Sequence, residues 1–399
     1  MPELLTLEDL DLATLAGKRV FVRVDFNVPL SPEGEVVDAT RLEEALPTLR
    51  ELSAAGARLL LASHAGRPKD APDPRYSLRP VAAKLAELLG SPVAFAEDCI
   101  GEPAERVAGA LAPGGVALLE NLRFHAGEKK NDPAFAGQLA ALADAYVDDA
   151  FGSAHRAHAS VVGVPERLQR KAAGRLMVRE VHSLSRLLGE PERPFAAILG
   201  GAKIEGKIDT LENLLPRLDL LLVGGGMANT FLAAQGHDLA GSLVETERLD
   251  LAREILARAA ARGLPVILPV DLVVTDDLSA PGRIETVPAG GVPAGTKAVD
   301  IGPATREAFA AAIARARTLF WNGPMGVFEK PPFDAGTRAV AEALAHCPGF
   351  SVLGGGETVA AAKQAGVAER VGHVSTGGGA ALELLAGKTL PGVAALERR

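Results

Sequence analysis

The chain has 399 residues, 48% of them apolar and only 4% aromatic, with a formal net charge of -8. That length exceeds one ordinary domain and predicts two, and the weight of Gly, Ala, Leu and Val is that of a close-packed α/β core, which excludes long disordered stretches. The acidic excess is spread over both halves, 22 basic against 27 acidic residues in 1–190 and 20 against 23 in the remainder, so neither half is a basic nucleic-acid footprint.

The N-terminal stretch MPELLTLEDLDLATL is acidic and lacks the basic region and apolar run of an export signal. No window reaches the roughly 18 apolar residues of a spanning helix. The only cysteines, Cys99 and Cys347, stand far apart and suggest neither a disulfide framework nor a Cys-based metal site. The expectation is a soluble protein of a reducing cytoplasm, without nucleic-acid or membrane partners.

Along the first half, β-rich runs at Arg19–Val28, Ala57–His64, Pro92–Glu97, Gly115–Asn121 and Ala145–Phe151 alternate with helical segments, the rhythm of a parallel sheet buried on both faces. Residues Ala172–Gly189 follow, with Leu176, Val181, Leu184 and Leu187 at helical spacing before the stop EPERP, and predict a connecting helix. The second half repeats the rhythm at Phe195–Gly201, Asp219–Gly225, Pro265–Val274, Lys297–Gly302, Thr318–Gly323, Phe350–Gly356 and His373–Thr376. One sheet of a dozen strands would be unusual. The expected fold is therefore two doubly wound parallel-sheet, Rossmann-like α/β lobes, residues 1–171 and 190–387, joined by a hinge helix over 172–189.

Ligands of open parallel sheets bind beyond the carboxyl ends of the strands. There the first half is basic: RVDFNVP (23–29), DATR (38–41), SHAGRPK (63–69), LRFH (122–125) and SAHRAHAS (153–160) bring Arg41, Arg67, Arg123 and Arg156 from four segments, with His64 and the polar pair Asp25 and Asn27. Guanidinium forks suit phosphate and carboxylate, so a small polyanion is implied. His155 and His158 lack a third ligand at a recognisable spacing, so no zinc is assigned.

The second half is glycine-rich at the same places: LGGAKIEGK (199–207), VGGGMAN (223–229), LGGGET (353–358) and STGGGAA (375–381). Glycine lets bare N–H groups approach an anion, and a helix starting there adds its positive dipole end. Gly201–Ile208 resembles a P-loop but has Ile208 where Ser or Thr would hold magnesium, and no G-x-G-x-x-G fingerprint occurs. Lys203 and Lys207 are four apart and on a helix would share a face toward a phosphate chain. LFWNGPMGVFE (319–329) offers an apolar wall for a purine, with Glu329 for ribose hydroxyls.

Nine ordered blocks, RVDFNVP, SHAGRPK, ENLRFH, DDAFGSAHRAHAS, LGGAKIEGKI, GGGMANTF, WNGPMGVFE, GGGET and HVSTGGGAALELLAGKTLPGV, give the chain a resemblance to the phosphoglycerate kinase family along nearly its whole length. The resemblance implies reversible transfer of the γ-phosphoryl of MgATP to the carboxylate of 3-phosphoglycerate, in a monomer whose C-terminal tail, about 388–399, returns to the first lobe. It implies phosphoglycerate on Asp25, Asn27, Arg41, His64, Arg67, Arg123 and Arg156. It implies MgATP or MgADP on Gly201, Ala202, Lys203, Lys207, Gly225, Gly226, Asn322, Pro324, Glu329, Gly355, Gly356, Glu357 and Thr358. Arg41 and Lys203, with backbone donors at Gly355 and Gly378, are the candidates for neutralising the phosphoryl in flight. The family usually carries Asp where this chain has Glu357, so the carboxylate expected to reach magnesium is one methylene longer. Another small-molecule kinase, or a non-catalytic two-lobed binding protein, would use the same parts.

Overall fold

The computed structural model describes residues 3–398. The chain divides into two units, one from the N-terminus to His182 together with the segment from Thr389 onward, the other Ser183–Lys388.

The first unit is built on six parallel strands: β1 (Arg19–Arg23), β2 (Arg58–Ala62), β3 (Val93–Ala96), β4 (Val116–Leu119), β5 (Ala145–Asp148) and β6 (Lys171–Ala173), in the order β3-β4-β2-β1-β5-β6. Val22 faces Leu61 on one side and Val147 on the other, and the central strands are apolar without alternation because both faces are covered. β1 lies at the centre, where the strand order reverses, so the residues after β1, β2 and β5 open on the crevice in which such sheets hold ligands. The segment after Lys388 is tied into this unit: Gly392 donates to Ala154 O and Leu5 to Leu396 O, both at 2.8 Å.

The second unit has a parallel sheet of β7 (Phe195–Leu199), β8 (Leu220–Val223), β9 (Val266–Ile267), β13 (Thr318–Asn322), β14 (Phe350–Gly354) and β15 (His373–Val374), and a separate antiparallel sheet of β10 (Asp271–Thr275), β11 (Ile284–Pro288) and β12 (Lys297–Ile301). The parallel order is β15-β14-β13-β7-β8-β9 and the antiparallel one β11-β10-β12.

Three expectations are corrected here. The run Pro265–Val274 is two strands, because Pro269, which has no N–H for a ladder, ends the pairing of β9 before β10 leaves for the antiparallel sheet. Lys297–Gly302 likewise pairs antiparallel, with β10, and β11 escaped notice because it is short and mostly exposed. The expected 172–189 helix begins at Arg175, and Ala172 and Ala173 belong to β6. Its start is set from a distance: Asp149 Oδ1 accepts the Leu176 and Met177 N–H groups at 2.9 and 3.2 Å, a cap that local sequence does not reveal. The apolar face of Leu176, Val181, Leu184 and Leu187 is buried as its spacing predicted.

Candidate functional site

In the first unit the crevice beyond β1, β2 and β5 is lined by cations held in place by backbone carbonyls. Arg41, in the first turn of the Thr40–Ala54 helix, sits 3.0 Å from Asp25 Oδ1 and donates to Asn27 O at 3.2 Å. Asn27 Oδ1 in turn accepts the Gly66 N–H at 2.8 Å, and Arg123 donates to Gly66 O at 2.7 Å, so three segments share one turn. Asn121 fixes that turn from beneath, bonding both the N–H and the carbonyl of Ala65. Arg123 is buried, and its Nε has no hydrogen-bond partner among the described residues. A buried guanidinium with an unpaired N–H keeps part of its hydrogen-bonding capacity unused by the protein.

Burial, and then the charges of Arg156 and Arg23, bring Arg123 down to about 10, still protonated at neutral pH. His64 is buried beside the same cations; burial first, then Arg23, Arg123, Arg156 and Arg41, hold its pKa well below the usual value, so the ring is neutral and acts as a hydrogen-bonding group. Arg23 lies underneath, fully buried, with Nη2 3.1 Å from His64 Nδ1 and Nε donating to Ser160 Oγ at 2.9 Å. Ser160 Oγ donates to Glu128 Oε1 at 2.6 Å, and His158 Nδ1 stands 3.6 Å from the same oxygen. This buried carboxylate balances the cations from behind. A cavity of about 390 Å³ is lined by Arg67, Pro68, Arg123, Lys129, Arg156 and His158.

In the second unit a cavity of about 200 Å³ is lined largely by backbone: Gly201, Ala202, Gly225, Gly226, Pro324 and Gly326, with Leu272, Val299 and Met325 as apolar wall and Glu329 and Glu357 as carboxylates. Three strand ends are laced together there. Gly201 donates to Pro324 O at 2.7 Å, Gly225 to Met325 O at 3.0 Å, and Met227 to Gly201 O at 3.0 Å. A Cβ on Gly225, whose φ is +63°, would stand 2.8 Å from Gly201 N, Gly201 O and Pro324 O, so the close approach requires glycine. The helices Gly225–Ala234 and Gly356–Gln364 both begin at this cluster, presenting N–H groups and positive dipole ends.

A family model described as phosphoglycerate kinase matches residues 7–388. The chain is 56% identical over 394 residues to a phosphoglycerate kinase of Thermus thermophilus, covering 98% of this chain and 99% of that protein. It is 54% identical over 394 residues to one of Desulforudis audaxviator, covering 99% of each. The chain belongs to the phosphoglycerate kinase family. The solved phosphoglycerate kinase of Coxiella burnetii superposes with a TM-score of 0.88 at 40% identity, covering 98% of both chains.

Of the residues that the phosphoglycerate kinase motifs singled out, Asp25, Asn27, Arg41 and Arg123 share one network, His64 is tied to Arg23 beside it, and Arg67, Arg123 and Arg156 line one cavity. Gly201, Ala202, Gly225, Gly226, Pro324, Glu329 and Glu357 line the other. Lys203 and Lys207 do not share a helical face: Glu205–Lys207 is a single 3-10 turn and the α-helix begins only at Ile208. Lys207 instead tucks its ammonium against Gly200 O at 2.6 Å, while Lys203 is exposed. Burial lowers the Lys207 pKa against the opposing pull of Glu357 and Glu245. Asn322 and Thr358 are buried and tie loops, Asn322 Nδ2 to Gly354 O at 2.8 Å and the Gly323 N–H to Thr358 Oγ1 at 2.7 Å. Gly355 and Gly378 are the left-handed residues before the helices that follow β14 and β15, which pair side by side.

Sequence reasoning missed Arg23, Lys129, Ser160 and Glu128. The last is a lone acid in a charged stretch, and only the fold brings it under the arginines. It also missed Asp300, a buried carboxyl in the lining of the second cavity, which burial raises to about 7 against the pull of the Gly336 N–H and Arg306.

Proposed function

We propose that the two cavities hold the two substrates of one phosphoryl transfer. The reaction is the reversible transfer of the γ-phosphoryl of ATP to the carboxylate of 3-phosphoglycerate, giving ADP and 1,3-bisphosphoglycerate, a step of glycolysis. The acceptor carries a carboxylate and a phosphate, and Asn27, Arg41, His64, Arg67, Arg123 and Arg156 are the groups we assign to it, with Asp25 orienting Arg41 at 3.0 Å. The nucleotide's phosphates are assigned to the backbone at Gly201, Ala202, Gly225, Gly226, Gly355 and Gly356, its base to the apolar wall behind Pro324, and its ribose to Glu329. Asn322 and Thr358 keep that cradle in shape, and Lys207 secures the loop that carries Gly200 and Gly201.

Transfer makes a bond from phosphorus to a carboxylate oxygen and breaks the bridge to the β-phosphate. The acceptor is already ionised at neutral pH, so no general base is required. Such a transition state leaves the protein mainly positioning and charge neutralisation. Arg41 and Lys203, with backbone donors at Gly355 and Gly378, fill that role in this reading. Magnesium travels with the nucleotide. Glu357, an exposed carboxylate in the cavity lining, is a hard oxygen donor of the type that takes this ion alongside phosphates, and it is the residue that would reach it. Water must be kept from the phosphoryl until the acceptor meets it, so the reading includes a closing movement about the Arg175–Leu188 helix. It takes the protein as a cytoplasmic monomer; among the described residues no helix is long and apolar enough to cross a membrane.

The observation that carries this reading is the chemical division between a guanidinium-lined cavity in one unit and a backbone-lined cavity in the other. A coupled assay of ADP formation from ATP tests it, run with and without 3-phosphoglycerate across magnesium concentrations. ADP should form only with the acceptor present. Binding of both compounds without turnover would instead favour a two-lobed binding protein, and turnover with other acceptors only would favour a different kinase.

A further inference from the structure

The first unit holds a third cluster that neither substrate uses. After β3 the chain runs through Asp98 and Cys99, and after β4 it returns His125 to the same place. His125 Nε2 lies 2.7 Å from Asp98 Oδ1, and the Cys99 sulfur, a carboxylate oxygen of Asp98 and a ring nitrogen of His125 all lie within 4.8 Å of one another. The ring is steadied by stacking on Phe135 with centroids 5.3 Å apart, and Asp98 Oδ1 accepts the Cys99 N–H at 2.6 Å. Cys99 is buried, whereas Asp98 and His125 also line a cavity of about 510 Å³ that includes Glu97 and Glu120.

We infer that Asp98, Cys99 and His125 form a site for one divalent transition metal of the zinc class. One sulfur, one imidazole nitrogen and one carboxylate oxygen make a mixed set that suits a borderline-soft ion and not magnesium or calcium, which want oxygen alone. A thiolate and a carboxylate with a neutral imidazole carry two negative charges, so a bound dication leaves the buried site neutral. Donors around a tetrahedral zinc stand about 3.3 to 3.8 Å apart at its usual bond lengths. The 2.7 Å pair must therefore open by about half an ångström, and the sulfur must close by up to about 1.3 Å, which are side-chain adjustments. The cavity supplies the fourth position with water and an entry path. Burial, and then the charge of Asp98, hold the thiol protonated in the free protein, so binding displaces that proton. In sequence the site is hidden, because 25 residues separate Cys99 from His125 and no ligand spacing motif marks them.

The test is a titration of the full-length, nucleotide-free protein with cobalt(II), whose thiolate charge-transfer absorption in the near ultraviolet reports sulfur ligation directly. The expected result is a band that saturates at one equivalent, is abolished by competing zinc, survives Cys347→Ser and is lost in Cys99→Ser. Because Cys99 is buried and its replacement disturbs the core, His125→Gln is measured beside it: this side chain is partly exposed, and saturation at one equivalent should be lost. Absence of the band in the wild type, its survival in Cys99→Ser, its dependence on Cys347, or saturation unchanged in His125→Gln would each overturn the inference.

Discussion

Gly225→Ala should damage nucleotide use while sparing the acceptor. The added methyl would stand 2.8 Å from Gly201 N, Gly201 O and Pro324 O, all of them backbone, whereas ordinary contact begins at 3.4 Å. The two facing segments must therefore give way by roughly half an ångström each, and overpacking of this kind costs about 1–3 kcal/mol. The left-handed φ of +63° adds about 1–2 kcal/mol for any L side chain. A displacement of about 1 Å at a reacting group can cost on the order of 100-fold, so the shift here should lower kcat/KM for ATP by about 10- to 100-fold. Gly236→Ala is the matched control: its φ is +96° but nothing lies within 4 Å of the added carbon, so it carries the conformational strain without the crowding. Initial rates at varied ATP and saturating 3-phosphoglycerate, then the reverse, separate the two substrates, and thermal unfolding records the strain. The KM for 3-phosphoglycerate should not move in either variant. Wild-type ATP kinetics in Gly225→Ala, or equal impairment in Gly236→Ala, would refute the reasoning.

Arg41→Ala should abolish turnover and leave ATP affinity by equilibrium dialysis nearly unchanged; an unaltered kcat would remove Arg41 from the transfer step. Glu357→Asp, which restores the family's usual residue, should shift the magnesium dependence of kcat, and superimposable titrations of the two proteins would show that the carboxylate stays outside the metal's shell. Burial raises Asp149 to about 7 against the pull of Thr48 and of the Met177 and Leu176 N–H groups. Between about pH 4 and about pH 7 the folded chain therefore keeps a proton that the unfolded chain has lost, so this group's contribution makes stability fall as pH rises through that window and stay level above it. Asp149→Asn keeps an oxygen for both helix N–H groups, and urea unfolding should show a flatter pH dependence between those limits, with a difference of at most about 4 kcal/mol; parallel curves for the two proteins would contradict it.

What could be read from the sequence follows from where each signal resides. The parallel strands announced themselves because burial on both faces demands apolar runs, as in LLLA and VALL. The glycines of the second unit's cavity were visible because only glycine tolerates a neighbouring backbone within 3 Å. The four arginines were visible because each stands in a short polar motif beyond a strand end. The exit of β10 from the parallel sheet was not, since its cause is Pro269, inside the β-rich run PVILPVDLVV. Nor were the supports: Asp149 caps a helix 27 residues away, and Glu128 reaches Ser160 across 32. Partners at such separations leave no local pattern.

The two cavities also differ in what substitution can do to them, and this bears on Glu357. The guanidinium-lined cavity of the first unit is made of side chains that lean on one another: Arg123 and Arg41 share a turn through Gly66 and Asn27, and Arg23 ties His64 to Ser160 and, through it, Glu128. Changing one member leaves a buried charge or donor unpaired, which costs more than the lost contact itself. The cavity of the second unit is laced by backbone, whose hydrogen bonds do not depend on side-chain identity except where glycine is required. A carboxylate on its lining, exposed and at the first turn of a helix, can lengthen by a methylene without disturbing that lacing. The replacement of the family's Asp by Glu357 therefore changes the reach of one oxygen donor and leaves the cradle intact, which is why its effect is expected in the magnesium dependence and not in stability.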